Sequence, residues 1–139
     1  MSNILTHLIS RQLERYGANR EAFTLIDIAE RKLLPVTWGE FDTRVENAAC
    51  AFEILGIKPG DMVAVFTPNC PEFIYTDFAC YRNRAIPVAI YATSSAEQVK
   101  YIVNDAGAKL IVAGGDAQYR IARQVFAECP SLSKIIIID

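Results

Sequence analysis

The stretch that decides the fold is Lys58-Pro-Gly-Asp-Met-Val-Ala-Val-Phe-Thr-Pro-Asn-Cys-Pro71. Its proline, glycine and aspartate are typical of a tight turn, and the apolar run Met62–Thr67 that follows predicts a strand buried on both faces. Pro71 suits the first turn of a helix, where its missing N–H leaves no hydrogen bond unmade. A buried strand between a turn and a helix start is the repeating unit of a parallel α/β sheet.

The same alternation continues towards Asp139. Near-continuous apolar runs predict strands at Met62–Thr67, Ile86–Tyr91, Leu110–Ala113 and Lys134–Ile138. Helical spacing predicts helices at Pro71–Arg82, Ala96–Ala106 and Asp116–Glu128. Strands and helices that alternate at these lengths imply parallel strands joined by right-handed crossovers.

The residues before this unit predict a different arrangement. Helical spacing predicts a helix over Asn3–Tyr16, and two short strands, Ala22–Ile28 and Leu33–Val36, predict a hairpin around residues 29–32. A further helix begins with a capping box formed by Thr37 and Glu40 and ends at Gly56. Its predicted core stripe is Phe41, Val45, Ala48, Phe52 and Leu55. The sequence therefore predicts one α/β domain over residues 1–139, with a mostly parallel sheet flanked by helices and preceded by a helix and a hairpin.

Composition excludes several classes of function. The net charge is −2, and 22% of residues are charged without any cluster of lysine and arginine, so nucleic acid is excluded as a partner. The N-terminal residues lack the pattern of a secretion signal, and the apolar runs are far shorter than the ~20 residues that a membrane-spanning helix needs. We therefore expect no transmembrane segment and a cytoplasmic protein.

The reactive side chains form no recognisable catalytic or metal-binding pattern. Cys50, Cys70, Cys80 and Cys129 have no metal-ligand spacing, and the first and third lie within apolar helical patterns. We expect reduced, structural cysteines that behave as small apolar residues. The single histidine, His7, lies on a predicted amphipathic helix and is interpreted as a surface or packing residue.

A parallel sheet raises the possibility of a dinucleotide site, whose glycine-rich turn follows the first strand. The turn Thr67-Pro-Asn-Cys-Pro71 contains no glycine. Gly114-Gly115-Asp116 also joins a strand to a helix, and we interpret it as a tight turn in preference to a phosphate cradle. A dinucleotide-binding domain stays open only as an alternative, to be tested by calorimetric titration with NAD or FAD.

Three segments carry a resemblance to a known family. They are Thr37–Phe41 with the following Ala48-Ala49, Gly56–Phe73 and Glu97–Ile111, and in this order they resemble the N-terminal region of acyl-adenylate-forming enzymes. The segment Ile90-Tyr-Ala-Thr-Ser-Ser-Ala-Glu-Gln98 resembles the branch of long-chain fatty acid–CoA ligases.

The resemblance implies a fold, an activity and a set of ligands. It implies the N-terminal subdomain of an ATP-dependent acid–thiol ligase that uses ATP, Mg²⁺ and CoA and acts on fatty acids. It also implies that the chain ends before the phosphate loop, so no catalytic residue is carried over. The chain alone is then expected to be inactive and to bind none of these ligands tightly. Because long-chain acids partition into bilayers, peripheral membrane association of the whole enzyme is a further expectation.

The segment Tyr91-Ala-Thr-Ser-Ser95 follows a strand and opens a helix, where open α/β sheets bind ligands. Tyr91 and Thr93 are therefore candidate substrate-binding residues that line an acyl or CoA passage. The competing interpretation is helix capping by Ser94 or Ser95, with Ser94 and Glu97 as a second capping box.

Two positions depart from the family pattern. Arg84 stands where the family usually has glycine, and we expect Asn83 to take over the left-handed conformation at the end of the helix. Ala89 stands where proline is common, whereas Pro87 lies two residues earlier. Because proline cannot donate to a sheet ladder, this predicts shifted pairing, a strand start or an edge strand.

A second hypothesis is a free-standing α/β module that acts in binding or assembly. The ordinary fold and the lack of catalytic motifs permit it. Under either hypothesis the flat apolar strand Ile135–Ile138 is expected at an edge of the sheet, and it predicts self-association of the chain.

Overall fold

The computed structural model describes residues 5–27 and 30–138. The predicted beginning of the first helix at Asn3 and the predicted end of the first strand at Ile28 lie outside these residues. The helices are α1 (Leu8–Tyr16), α2 (Trp38–Ile54), α3 (Pro71–Arg82), α4 (Ala96–Ala106) and α5 (Asp116–Val125), which continues as a 3₁₀ turn over Phe126–Glu128. The strands are β1 (Glu21–Asp27), β2 (Lys32–Thr37), β3 (Met62–Thr67), β4 (Ile86–Tyr91), β5 (Leu110–Ala113) and β6 (Lys134–Ile137).

The strands form two sheets, as predicted. β1 and β2 pair as an antiparallel hairpin, and the other four strands form a parallel sheet in the order β4-β3-β5-β6. The chain enters this sheet at β3, adds β4 on one side, and then crosses back to add β5 and β6 on the other side. β3 is buried on both faces because it is an inner strand, and this explains its unbroken apolar sequence.

Helices cover both faces of the parallel sheet. On one face, α2 and α3 pack against Val63, Leu110 and Val112. On the other face, α4 and α5 pack against Ala64 and Phe66 of β3 and their neighbours on β5. The result is a three-layered α/β/α core, which confirms the predicted fold class.

A third apolar cluster joins α1 and the hairpin to the rest. Phe41 of α2 lies at its centre, with ring centroids 5.3 Å from Phe23 and 5.2 Å from Phe78. The predicted stripe of α2 needs one correction, because Ala49 is buried at 3% exposure while Ala48 is only half-buried. The neighbouring Cys50 is exposed, so it does not pack as the small apolar residue that the helical pattern predicted.

The helix caps are partly as predicted. The backbone N–H of Thr37 donates to Glu40 Oε2 at 2.8 Å, and the backbone N–H of Glu40 donates to Thr37 Oγ1 at 3.2 Å, which confirms the first capping box. The second box is formed by Ser95 and Gln98, one residue later than predicted. Ser94 cannot be the cap, because it is buried and its backbone N–H closes a turn by donating to the carbonyl of Tyr91 at 2.9 Å.

The left-handed backbone conformation after α3 also occurs one residue later than predicted. Arg84 itself takes the positive φ of 56°, whereas Asn83 has a φ of −83°. The Asn83 side chain is buried and donates to the carbonyl of Ala49 at 2.8 Å, which anchors it to α2. The left-handed conformation therefore falls on the next residue, whose side chain is exposed.

Pro87 lies in an edge strand, which is the third of the three possibilities predicted from the sequence. The pairing of β3 with β4 runs without a shift from Met62↔Ile86 to Thr67↔Tyr91, and β4 is an edge strand of the sheet. The backbone N–H of Ile86 donates to the carbonyl of Asp61 at 2.8 Å. Because donors alternate in direction along a strand, the nitrogen of Pro87 lies on the outer edge, where no ladder bond is lost.

Candidate functional site

A cleft of about 540 Å³ opens at the carboxyl ends of β3 and β4. Its floor is the end of the parallel sheet, and Phe73, in the first turn of α3, forms one wall. The residues that line it are Thr67, Pro68, Asn69, Phe73, Ala89, Ile90, Tyr91, Ala92 and Thr93. α3 begins at Pro71, four residues after β3 ends at Thr67, and β4 is at an edge of the described sheet.

Both residues predicted from the sequence line this cleft. Tyr91 lies opposite Thr67 in the register of the two strands and is 87% exposed, so its ring is accessible to a ligand. Thr93 is exposed two residues later. The competing explanation, capping of α4, applies to Ser95, and it leaves the side chains of Tyr91 and Thr93 without a part in the cap.

Thr67 is a cleft residue that sequence reasoning missed. It is only 5% exposed, and its hydroxyl oxygen has no hydrogen-bond partner within residues 5–27 and 30–138. The one signal in the sequence was a polar residue ending an otherwise apolar strand. That signal is weak, since threonine is common in strands.

Gly114 explains why the cleft opens on the side of β4. The strand order reverses between β3 and β5, and open α/β sheets usually bind ligands at such a point. At this point between β3 and β5, the backbone of Gly114 packs directly against Pro68. The packing is so close that a Cβ on Gly114 would lie 2.7 Å from Pro68 Cδ. Its partner Gly115 has a φ of 106° and forms the turn into α5.

Gln118 holds the far wall of the cleft in place. Its Nε2 donates to the carbonyl oxygen of Ala92 at 3.0 Å, so α5 is tied to the loop between β4 and α4. This long-range contact ties Ala92, the residue between Tyr91 and Thr93, to α5. Nothing in the local sequence around Gln118 indicated it.

The buried thiols Cys80 and Cys129 do not line the cleft. Burial, with a contribution from the carboxylate of Asp77, raises the pKa of the Cys80 thiol to about 12. Burial also raises the pKa of Cys129. Both thiols are thus held protonated, as expected of structural cysteines. In the part of the chain that the structure describes, no group of three or more histidine, cysteine or acidic side chains could hold a metal ion.

No helix within the described ranges is long and apolar enough to cross a membrane.

Two proteins of known function are similar to this chain in sequence. A long-chain-fatty-acid–CoA ligase of Mycobacterium bovis is 32% identical over 103 residues, which cover 74% of this chain and 17% of that protein. An acetyl-coenzyme A synthetase of Chlorobaculum tepidum is 30% identical over 111 residues, again 74% of this chain and 17% of that protein. The chain thus corresponds to about one sixth of the length of these relatives.

The fold has close counterparts among solved structures. A Mycobacterium tuberculosis fatty acyl CoA synthetase superposes with a TM-score of 0.85 at 20% identity, over 97% of this chain and 26% of that one. At this identity the likeness establishes the fold alone. The family assignment rests on sequence, since the model of the AMP-binding enzymes matches residues 9–139, nearly the whole chain. On that match, together with the shared parallel sheet, the chain belongs to the family of AMP-binding, adenylate-forming enzymes.

Proposed function

We propose that the whole protein is an ATP-dependent long-chain fatty acid–CoA ligase and that residues 1–139 are a partial N-terminal domain of it. The support is the family match over residues 9–139 and the similarity to a fatty acid–CoA ligase at 32% identity. In this reaction the fatty acid carboxylate attacks the α-phosphorus of ATP, and pyrophosphate leaves with the electrons of the broken P–O bond. The CoA thiol, having lost its proton, then attacks the acyl carbonyl and displaces AMP. Magnesium would neutralise the phosphate charge, and no residue described here is assigned to hold it.

Within this ligase, residues 1–139 supply the scaffold and one wall of a substrate passage. The observation that carries this role is the cleft lined by Tyr91 and Thr93 at the carboxyl end of the parallel sheet. We assign these two residues to the passage for the acyl chain or for CoA. The chain by itself is expected to be inactive and to bind ATP, Mg²⁺ and CoA only weakly.

The passage is tested in the full-length enzyme with Tyr91→Ala, Thr93→Ala and the double variant. We expect the KM for fatty acid or for CoA to rise at least several-fold, with a smaller change in kcat. Tyr101→Ala is the matched control, because Tyr101 is also exposed at 69% but does not line the cleft. Unchanged KM values for both substrates in the double variant would remove the two residues from the passage.

The long-chain specificity needs a separate experiment, because an acetyl-coenzyme A synthetase is also among the relatives. Pyrophosphate release by the full-length enzyme is measured with palmitate, octanoate and acetate at equal concentrations. A kcat/KM for palmitate at least tenfold above that for acetate is expected. Preference for acetate would leave the adenylate-forming activity intact and overturn the long-chain assignment.

We also propose that the 139-residue chain self-associates through β6. This strand lies at an edge of the described sheet, and Ile137 on it is 37% exposed. Sedimentation of the chain at increasing concentration should show dimers or larger species, and Ile137→Lys should reduce them. Ile54→Lys is the control, since Ile54 is 85% exposed on α2 and away from the sheet edge. A chain that stays monomeric at millimolar concentration contradicts the proposal.

The expected location is the cytoplasm. We expect the whole enzyme to associate peripherally with membranes, because its long-chain fatty acid substrates partition into bilayers. Cell fractionation of the full-length protein, with and without a high-salt wash, tests both parts. Recovery only in a secreted fraction would overturn the location.

A further inference from the structure

We infer that a pocket at the amino ends of β3 and β4 binds a phosphate monoester, and that the side chains of Arg84 and Lys58 hold its phosphate group. The pocket has a volume of about 310 Å³ and is formed by residues that precede these two strands. It lies at the opposite end of the sheet from the candidate functional site, roughly 17 Å away along the six residues of β3. The inference therefore does not rest on the proposed function.

The first observation concerns the backbone of Arg84. Its φ of 56° lies in the left-handed region, which glycine usually occupies after a helix because any Cβ is unfavourable there. Two backbone hydrogen bonds fix this conformation. The N–H of Arg84 donates to the carbonyl of Tyr81 at 3.1 Å, and the carbonyl of Arg84 accepts from the N–H of Gly60 at 2.8 Å. Strained residues of this kind cluster at functional sites, so a role of the exposed Arg84 side chain explains why arginine stands there.

The second observation is that two cations of the pocket have no carboxylate partner. Among residues 5–27 and 30–138, no ion pair includes Arg84 or Lys58, and both side chains are exposed. The third cation of the lining, Arg82, is already neutralised, because it pairs with Asp42 at 2.6 Å and also with Glu46. Arg84 and Lys58 are therefore the charges available to a ligand.

Backbone contacts hold these two cations close together. The hydrogen bond from Gly60 to Arg84 ties the turn Lys58–Asp61 to the end of α3. Within that turn the backbone N–H of Lys58 donates to Asp61 Oδ2 at 2.9 Å. The Asp61 carboxylate also pairs with the Lys109 ammonium at 2.7 Å, so its charge is already compensated. A site held in place in this way loses little entropy when a ligand binds.

The charges of the pocket favour a ligand with more than one negative charge. Glu53 also lines the pocket and repels anions, so a single carboxylate would gain little from the two cations. A phosphate monoester carries about −1.5 to −2 charge at pH 7 and offers three acceptor oxygens, which suit the guanidinium of Arg84 and the ammonium of Lys58. Ile57 and Pro59 add apolar surface for a small organic group.

The experiment compares a dianion with a monoanion. Glycerol 3-phosphate and acetate are titrated separately, at constant ionic strength, into the ¹⁵N-labelled 139-residue chain, and amide shifts are followed by NMR. Glycerol 3-phosphate should shift the amides of Gly60, Arg84 and Ala85 with a Kd of about 1 mM, and acetate should bind at least about fivefold more weakly. Equal or tighter binding of acetate overturns the assigned ligand class.

Variants separate the Arg84 side chain from its backbone strain. Arg84→Gly should lower the affinity for glycerol 3-phosphate about tenfold, the effect of one charge-assisted hydrogen bond, even though this variant is expected to be more stable. Arg31→Gly is the matched control, because Arg31 also has a positive φ, 52°, but lies in the hairpin and does not line the pocket. It should leave the affinity unchanged.

Two further variants test the charges around the phosphate. Lys58→Gln should weaken binding about threefold, and Glu53→Gln should strengthen it by a similar factor, because it removes a repulsive carboxylate. Retained affinity in Arg84→Gly, or an equal loss in Arg31→Gly, would overturn the assignment of Arg84. Weaker binding by Glu53→Gln would overturn the electrostatic argument.

A phosphate monoester can be a soluble metabolite or the headgroup of a lipid, and sedimentation with vesicles distinguishes the two. Phosphatidylcholine vesicles are used with and without about 20% phosphatidic acid. Retention on the phosphatidic acid vesicles that is lost in Arg84→Gly assigns the phosphate to a lipid headgroup. Binding of glycerol 3-phosphate without such retention assigns it to a soluble ester. Absence of binding in both experiments overturns the site, whatever the activity of the full-length enzyme.

Discussion

Gly114 packs so closely against Thr67 that a Cβ on the glycine would lie 2.6 Å from Thr67 Cβ. This contact joins the ends of two neighbouring parallel strands, β5 and β3. It occupies the place where the strand order reverses, and it leaves the space next to β4 as the open cleft. The position of the candidate site therefore depends on a residue that does not line it.

Replacing Gly114 with alanine should destabilise the chain by about 3 kcal/mol, the upper part of the range for overpacking a fixed site. The clash involves the backbone of Thr67 as well as its side chain, at 2.9 Å from Cα, so a rotamer change cannot relieve it. Urea denaturation measures the loss. Gly107→Ala is the control, because Gly107 has a φ of 63° but open space around it, and only the conformational cost of about 1 kcal/mol is expected. Equal losses for the two variants would show that the contact with Thr67 is not tight.

The cap of α4 is assigned to Ser95, and the two adjacent serines allow a direct test. Ser95→Ala removes the oxygen that accepts from the backbone N–H of Gln98, and it should cost about 1 kcal/mol of unfolding free energy. Ser94→Ala should change it by less than about 0.5 kcal/mol, because no cap is lost. A larger loss for Ser94→Ala would restore the capping box predicted from the sequence.

Arg84 is strained by its positive φ of 56°, and glycine should relieve that strain. Arg84→Gly is expected to raise the unfolding free energy by about 0.5 to 1 kcal/mol, after the larger entropy of glycine in the unfolded chain is subtracted. Arg120→Gly, at an exposed position inside α5, should lower it by about 1 kcal/mol. Thermal denaturation of both variants checks the opposite signs. Loss of stability in Arg84→Gly would mean that the arginine side chain contributes more than its backbone strain costs.

Asp77 and Asp61 should affect the pH dependence of stability in opposite directions. Burial raises the pKa of Asp77, so its contribution to stability is fully present below the unfolded pKa of about 3.9 and is lost as the pH rises through the folded pKa. The pKa of Asp61 is lowered by its hydrogen bond with the Lys109 ammonium, 2.7 Å away, despite the opposing effect of burial. The contribution of Asp61 is therefore present above about pH 3.9 and is lost as the pH falls through its folded pKa.

Denaturation of the asparagine variants between pH 3 and pH 7 checks this difference. At pH 7, Asp77→Asn should be more stable than the parent chain and Asp61→Asn less stable. The difference between each variant and the parent should shrink as the pH falls. A destabilised Asp77→Asn at pH 7 would show that the carboxylate is stabilised by a partner.

The sequence predicted the parallel sheet well because its inner strands, β3 and β5, are buried on both faces and its edge strands, β4 and β6, also carry near-continuous apolar runs. β3 and β4 have the predicted bounds, since turn residues or helix caps adjoin an unbroken apolar run. Capping of α4 was placed one residue too early, because Ser94 and Ser95 both have a Glu or Gln three residues later. Only the packing of Ser94 into the core distinguishes the two.

The candidate site was predicted only in part. Tyr91 and Thr93 follow a strand end, which is a local pattern, and the structure places both in the cleft. Thr67 and Gln118 were missed because their significance depends on residues distant in the chain. The hydroxyl of Thr67 matters because it is buried without a partner, and the amide of Gln118 matters because it reaches Ala92.

The strand order also has a consequence for synthesis on the ribosome. β3 can pair with β4 as soon as the short segment containing α3 has emerged, because these strands are joined by a single crossover. The opposite edge of β3 stays unpaired until α4 and β5 have also been made. During that interval a nascent chain exposes the unbonded backbone on one side of β3, an apolar strand that is buried in the finished sheet. We expect this to be the period in which the growing polypeptide depends most on a chaperone, and slower translation between β4 and β5 should therefore lower its yield.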